Sequence, residues 1–243
     1  MSSYEKAAGG LLGAALPVKP PGSGVCRICC TGIEDQYAEC YSCLRIGATL
    51  GRPLQPVTPI SLSMQDTQIY TTLKQYKGPS ANVAARQRLR LAGLIGLFLD
   101  RHARCLSPDE WTAVAVVPSK SGRIGQHPLE TTLRMIRSVR TEVADVLHIG
   151  PGGVGRNTAA IDAYQVGGTV KAQRVLLVDD TYTTGAHLHA AVAALEIAGA
   201  TEVVPLVVGR HLRRDWLPSA PLIEWTMDAK NRWSPDLCIH CRL

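Results

Sequence analysis

The chain of 243 residues carries 26 Lys and Arg against 20 Asp and Glu, a formal charge of +6, and 46 % of it is apolar. That length allows one domain with a sizeable core plus a small appendage, and no apolar run is long enough to span a bilayer as a helix, so a soluble cytoplasmic protein is expected. The basic excess is local: between Thr71 and Arg140 twelve Lys or Arg stand against four Asp or Glu, a pattern that fits either a solvated helix surface or a face for nucleic acid or polyphosphate.

Residues 1–24 hold glycine, proline and small side chains without periodicity and are expected to form a flexible leader. The apolar patch from Ala7 to Leu16 is interrupted by Gly9, Gly10 and Gly13 and preceded only by Lys6, a poor match to a signal peptide. In residues 25–50, Cys26, Cys29, Cys40 and Cys43 are spaced C-x2-C-x10-C-x2-C. Two close pairs bring four sulfurs around one tetrahedral ion, so a structural zinc ribbon is expected, with Cys30 a spare thiol outside the spacing. A reducing cytoplasm argues against disulfides. Pro53, Pro56 and Pro59 then read as a stiff linker, leading into a domain over residues 60–243.

From Ile60 the chain alternates as a strand, and Ile69 and Tyr70 suggest a second short strand reaching Leu73. Residues 82–102 form a helix with an apolar stripe of Leu89, Leu91, Leu94, Ile95, Phe98 and Leu99. Trp111 to Val117 is a buried strand, ending before Ser119, Lys120, Ser121, Gly122 and Arg123. His127 to Arg140 reads as a helix and Val143 to Ile149 as another strand. Gly150, Gly152 and Gly155 satisfy the letters of G-x-G-x-x-G, but no long helix follows, so a loop is the better reading.

The most informative stretch runs from Arg174 to Gly199. Val175 to Val178 form a short apolar run, the mark of a strand buried on both faces of a parallel sheet. Asp179 and Asp180 are expected at its carboxyl end, where open α/β sheets bind ligands. Thr181, Tyr182, Thr183, Thr184 and Gly185 then lead into a helix. Such a turn aims several N–H groups at one point, and the helix dipole adds to its attraction for phosphate. Carboxylates beside a phosphate cradle suit a ribose 5-phosphate, whose hydroxyls they can accept. A receiver domain also opens with an apolar run and two acids, and a plain buried strand with a solvated turn needs no ligand at all.

Glu202 to Val208 supplies a further strand. His187 and His189, two apart on a helix, do not share a face and read as structural. Trp216, Trp225 and Trp233 are expected to pack the tail onto the domain. Cys238, His240 and Cys241 end the chain, and the cysteine pair could complete an alternative site with one ribbon knuckle or with Cys105.

The run of apolar residues, two acids and T-x-T-T-G resembles the type I phosphoribosyltransferases, and VDDTYTTGAHL behind a cysteine ribbon looks most like their ComF-type branch. The resemblance spans roughly residues 26–210. It implies an α/β fold, a parallel sheet flanked by helices with a small N-terminal zinc ribbon. It also implies that Asp179 and Asp180 hold the ribose hydroxyls of phosphoribosyl pyrophosphate, with Thr181, Tyr182, Thr183, Thr184 and Gly185 on its 5-phosphate. By the same likeness Ser119, Lys120 and Arg123 would meet the pyrophosphate together with Mg²⁺, Lys77 lies in a short basic segment, and Arg156 and Tyr164 fall on further family elements. ComF-like chains usually continue with R-G-F-N-Q, of which Arg123, Gly125 and Gln126 are a faint echo. Two functions follow: phosphoribosyl transfer to an unidentified acceptor, or a non-catalytic DNA-handling role in competence, with single-stranded DNA as partner and the site as a nucleotide sensor.

Overall fold

The computed structural model describes residues 1–119, 127–137, 139 and 143–241. Its centre is a parallel sheet of four strands, β1 (Thr58–Met64), β2 (Ala113–Val116), β5 (Arg174–Tyr182) and β6 (Glu202–Leu212), in the order β1-β6-β5-β2. Side chains alternate across a strand, so Val175 and Leu177 enter one core while Leu176 and Val178 enter the other. The first core lies under α7 (Ala186–Ile197) and α3 (Tyr41–Leu50) of the cysteine-bearing segment. The second lies under α4 (Gln68–Gln75), α5 (Ala81–Leu106) and α6 (Pro128–Leu133). Since all four strands run the same way, the ends of β2, β5 and β6 gather at one edge, with Val116 beside Val178 and Tyr182 beside Arg210.

Three expectations change. Residues 69–73 are not a strand but part of α4: Thr67 caps it by accepting from the Tyr70 N–H, and Ile69 and Leu73, four apart, bury one helical face. The helix expected from His127 to Arg140 is shorter, ending at Leu133, after which the Arg134 side chain donates to the Val143 carbonyl at 3.0 Å. The strand expected from Val143 to Ile149 does not extend the main sheet beyond one bridge, Val143 to Val114; β3 (Leu147–Ile149) instead pairs antiparallel with β4 (Tyr164–Val166). The glycine-rich stretch is the loop of that hairpin, folded against Asp162, and opens no helix.

The first residues are also packed rather than loose. α1 (Ser3–Ala8) begins with a reciprocal cap between Ser2 and Glu5, and α2 (Leu11–Ala14) places Leu11 in the second core. Leu16 then bridges antiparallel to Leu62, and its N–H donates to Ser61 Oγ at 2.8 Å. What sequence periodicity missed is the complementary surface on α5. A Cβ on Gly93 would stand 2.3 Å from the Ala8 nitrogen, and one on Gly96 would stand 2.6 Å from the Tyr4 ring.

Beyond β6 a short 3₁₀ turn (Leu217–Ser219) and α8 (Ala220–Met227) pack with Cys30, Val25, Leu212 and Ile239 in a small third core. Trp233 donates from its indole to the Ile60 carbonyl at 2.8 Å and so holds the tail to the sheet, whereas Trp216 is exposed, unlike the packing role expected of it. No helix among the described residues is long and apolar enough to cross a membrane.

The α1–α5 contact is testable. Gly93→Val removes the only shape that lets α1 approach, and by overpacking it should cost about 1–3 kcal/mol, lowering the thermal midpoint. An unchanged midpoint with Ala7–Ala8 still resistant to proteolysis would mean that the docking of α1 does not depend on the missing side chain of Gly93.

Candidate functional site

The turn after β2 and the end of β5 frame a cavity of about 200 Å³ lined by Lys77, Ser119, His127, Asp179, Asp180, Thr181 and His187, among others. Lys120 and Arg123 lie outside the described residues. The strand that carries the two acids runs on through Tyr182, three residues beyond Asp179, so the acids are part of the pleat rather than side by side past its end. They consequently differ. Asp180 turns to the α4–α5 side, where Tyr76 Oη and Lys77 Nζ, the latter at 2.6 Å, both donate to its Oδ2. Asp179 stays half-buried at the cavity, accepting the Asp180 N–H at 2.8 Å on its own Oδ1.

Burial, and next the charge of Asp180, push the Asp179 carboxyl up to about 7. Tyr164 is held above the ordinary phenol range by burial and by Asp179, and its hydroxyl meets His187 Nδ1 at 2.7 Å. His187, expected to be structural, therefore lies at the cavity wall. Its helix neighbour His189 faces inward, 3.1 Å from Tyr182 Oη, and burial lowers its pKa to about 4.

The T-x-T-T-G turn is divided. Thr181 lines the cavity with the acids, while Thr183 and Thr184 line an adjoining hollow with Arg156, His187 and Arg213. Tyr182 departs from its expected place among phosphate contacts, because its side chain is 1 % exposed and points to the cysteine cluster, with Cys43 Sγ at 3.6 Å. Gly185 has φ +91° and precedes the first residue of α7. A Cβ there would stand 2.1 Å from the Tyr182 ring, so the inward tyrosine is what requires glycine.

The cysteine cluster fits its expected ion. Cys26 and Cys43 Sγ are 3.9 Å apart and Cys29 and Cys40 Sγ 3.7 Å, while a tetrahedral ion with bonds near 2.3 Å asks for edges of about 3.8 Å. The Cys40 N–H donates to Cys26 Sγ and the Cys43 N–H to Cys40 Sγ, and both residues open α3, whose dipole favours thiolate. Cys30 stays outside, its backbone at φ +56° carrying its side chain into the third core.

Arg210, which the sequence reading did not single out, ties this cluster to the turn. It is 5 % exposed, and among the described residues no carboxylate pairs with it. Its guanidinium instead donates to the Cys29 carbonyl at 2.9 Å, to Cys29 Sγ at 3.6 Å and to the carbonyls of Tyr182 and Thr183 at 3.2 and 3.0 Å. It also lies over the Tyr182 ring, 4.9 Å from its centre. Burial opposes ionisation of Cys29, yet hydrogen bonds from the other three thiols and the charge of Arg210 bring its pKa well below the ordinary value. A buried cation with only sulfur for a counter-charge suits a tetrathiolate centre, which remains net negative around a divalent ion. The one signal in sequence was an arginine following the apolar run Val203 to Gly209.

No protein-family profile matches the chain. No curated protein matches it either. Among solved structures it is similar to a purine phosphoribosyltransferase from Pyrococcus horikoshii Ot3 at 17 % identity and TM-score 0.32, over 52 % of this chain and 87 % of that one. It is also similar to a phosphoribosyltransferase from Corynebacterium diphtheriae at 22 % identity and TM-score 0.28, over 60 % and 94 %. A third is the Mycobacterium tuberculosis H37Rv orotate phosphoribosyltransferase in complex with 5-phospho-alpha-D-ribosyl 1-diphosphate, at 21 % identity and TM-score 0.28, over 60 % and 85 %.

Arg210→Ala leaves a buried thiolate and the carbonyls of Cys29, Tyr182 and Thr183 without their donor, so it should cost about 3–5 kcal/mol and release zinc at lower chelator concentration than the wild type. Arg213→Ala, at an exposed pair with Asp215, should do neither. Equal zinc retention in the two variants would remove Arg210 from the cluster's support.

Proposed function

We propose that this chain binds phosphoribosyl pyrophosphate with Mg²⁺ at the carboxyl edge of β5 and transfers its phosphoribosyl group to an acceptor. The observation that carries the reading is the order of groups along the chain from the cavity to the hollow beside it: Asp179 and Thr181 at the cavity, then Thr183 and Thr184 at the adjoining hollow, with Gly185 opening α7. A half-buried carboxylate next to a turn of hydroxyls and amides is complementary to a sugar with free hydroxyls and a terminal phosphate. Bound Mg²⁺ would neutralise the leaving pyrophosphate, and a carboxylate oxygen set is what such a hard cation takes.

In this reading the two acids divide the work. Asp179 accepts the ribose hydroxyls and stabilises positive charge developing at the anomeric carbon. Asp180 holds Lys77, with Tyr76, at the rim where the pyrophosphate oxygens come to lie. Ser119, at the start of the facing turn, adds a hydroxyl to the same wall. Thr183, Thr184 and Gly185 take the 5-phosphate, with Arg156 and Arg213 in the adjoining hollow. Tyr182 binds no ligand and instead fixes the turn from behind.

The rival DNA-binding reading needs one continuous basic face. Several of its cations are otherwise engaged: Arg101 pairs with Asp236, Arg88 donates to the Tyr76 carbonyl and Arg134 to the Val143 carbonyl.

Titration calorimetry with phosphoribosyl pyrophosphate and Mg²⁺ tests the assignment. Asp179→Asn should reduce affinity at least tenfold, about 1.4 kcal/mol, and Lys77→Ala should weaken binding less. Affinity unaltered by Asp179→Asn would sink the site. The acid also predicts a pH dependence. Its folded pKa, about 7, lies above the ordinary 3.8, so the unfolded chain releases this proton first and its contribution to stability declines as pH rises between those values. Ligand affinity should climb through pH 7 as the carboxylate forms, and the climb should vanish in Asp179→Asn.

A further inference from the structure

A second group of metal-ligating side chains lies far along the chain from the ribbon. His102 and Cys105 sit three residues apart on the last turns of α5 and so share a face. Cys238 and Cys241 come from a turn in the tail. One ligand atom from each of the four lies within 4.8 Å of the rest. Cys105 Sγ and Cys238 Sγ are each 3.3 Å from Cys241 Sγ, and His102 Nδ1 is 3.3 Å from Cys241 Sγ and 3.8 Å from Cys105 Sγ. A tetrahedral ion bound by three thiolates and one imidazole asks for edges of about 3.6–3.8 Å, which shifts of a few tenths of an ångström supply.

The imidazole is set up for this task. His102 is buried, and its Nε2 lies 2.9 Å from the Pro235 carbonyl. A carbonyl can only accept, so Nε2 carries the proton and Nδ1 presents its lone pair to the three sulfurs. A backbone carbonyl that holds the other ring N–H and so fixes the tautomer of a coordinating histidine is a recurrent feature of metal sites. A disulfide would account for two of the thiols, leaving the third and the oriented imidazole without a purpose.

We propose that His102, Cys105, Cys238 and Cys241 form a second zinc site, a closed Cys₃His centre that clasps the tail to the end of α5. It is independent of the ligand site and of the ribbon. Other tail contacts converge on the same place: Arg101 with Asp236, Trp233 with the Ile60 carbonyl, and His240 Nε2 2.8 Å from Thr58 Oγ1. Binding releases the thiol protons, three for three thiolates, and needs no electron transfer.

The full-length protein, purified under reducing conditions with zinc, provides the test. Elemental analysis should find two zinc ions per chain, falling to one in Cys238→Ser/Cys241→Ser and to one in Cys26→Ser/Cys29→Ser. Wild-type zinc X-ray absorption should show nitrogen beside sulfur in the first shell, a readout that needs no variant to fold. Loss of the tail clasp should also expose residues beyond Met227 to limited proteolysis. One zinc per chain with a sulfur-only shell overturns the proposal, as does an intact mass two hydrogens short in which Cys238 and Cys241, or Cys105 and Cys241, are joined.

Discussion

The structure around the site depends on a buried positive charge. Arg210 ends the apolar part of the central strand β6, where an unpaired guanidinium would be very costly. Sulfur on one side and backbone carbonyls on the other accept its donors. Because those carbonyls belong to Tyr182 and Thr183, the cysteine segment becomes a support for the turn rather than a separate appendage. Tyr182 completes the arrangement, with its ring under the guanidinium and its hydroxyl between Cys43 and His189. Cysteine cluster, cation and turn therefore form one packed unit, and Gly185 is the residue whose missing side chain lets it close.

The same strand geometry explains why the two adjacent acids are unlike. A pleated strand sends neighbours to opposite sides, so prolonging β5 through Tyr182 gives the two carboxylates different surroundings, though the charge of Asp180 is still felt by Asp179. One accepts from a lysine and a tyrosine, while the other has no ion pair among the described residues and is held hard to ionise chiefly by its burial. Burial, and next the charge of Asp180, raise the pKa of Asp179, while Lys77, just beyond α4, donates to Asp180.

Much of this was legible in the residues. The four-residue run VLLV announced a strand buried on both faces, the cysteine spacing announced a four-sulfur cluster, and the acids with the threonine turn announced the edge that carries the candidate cavity. Local patterns failed where a distant partner decided the outcome. Gly93 and Gly96 look like weak points in a helix until Tyr4 and Ala8 are seen seated on them. Ile69 and Leu73 fit either period, and the Thr67 cap decided between them. Tyr182 sits inside a polar motif, but the cysteine cluster behind it drew it inward. His102 precedes Cys105 by three, a spacing visible in sequence that acquires meaning only when the tail returns to α5.

Strand β1 lies at the margin of the sheet, where exposed backbone donors and acceptors would invite another chain to add a strand. Segments from both ends of the polypeptide cross it: Leu16 bridges to Leu62, Trp233 reaches the Ile60 carbonyl and His240 meets Thr58. That border is sealed by the protein's own termini. Copies of this chain cannot join there into a continuous ribbon without first peeling those segments away, which protects the fold from edge-on aggregation.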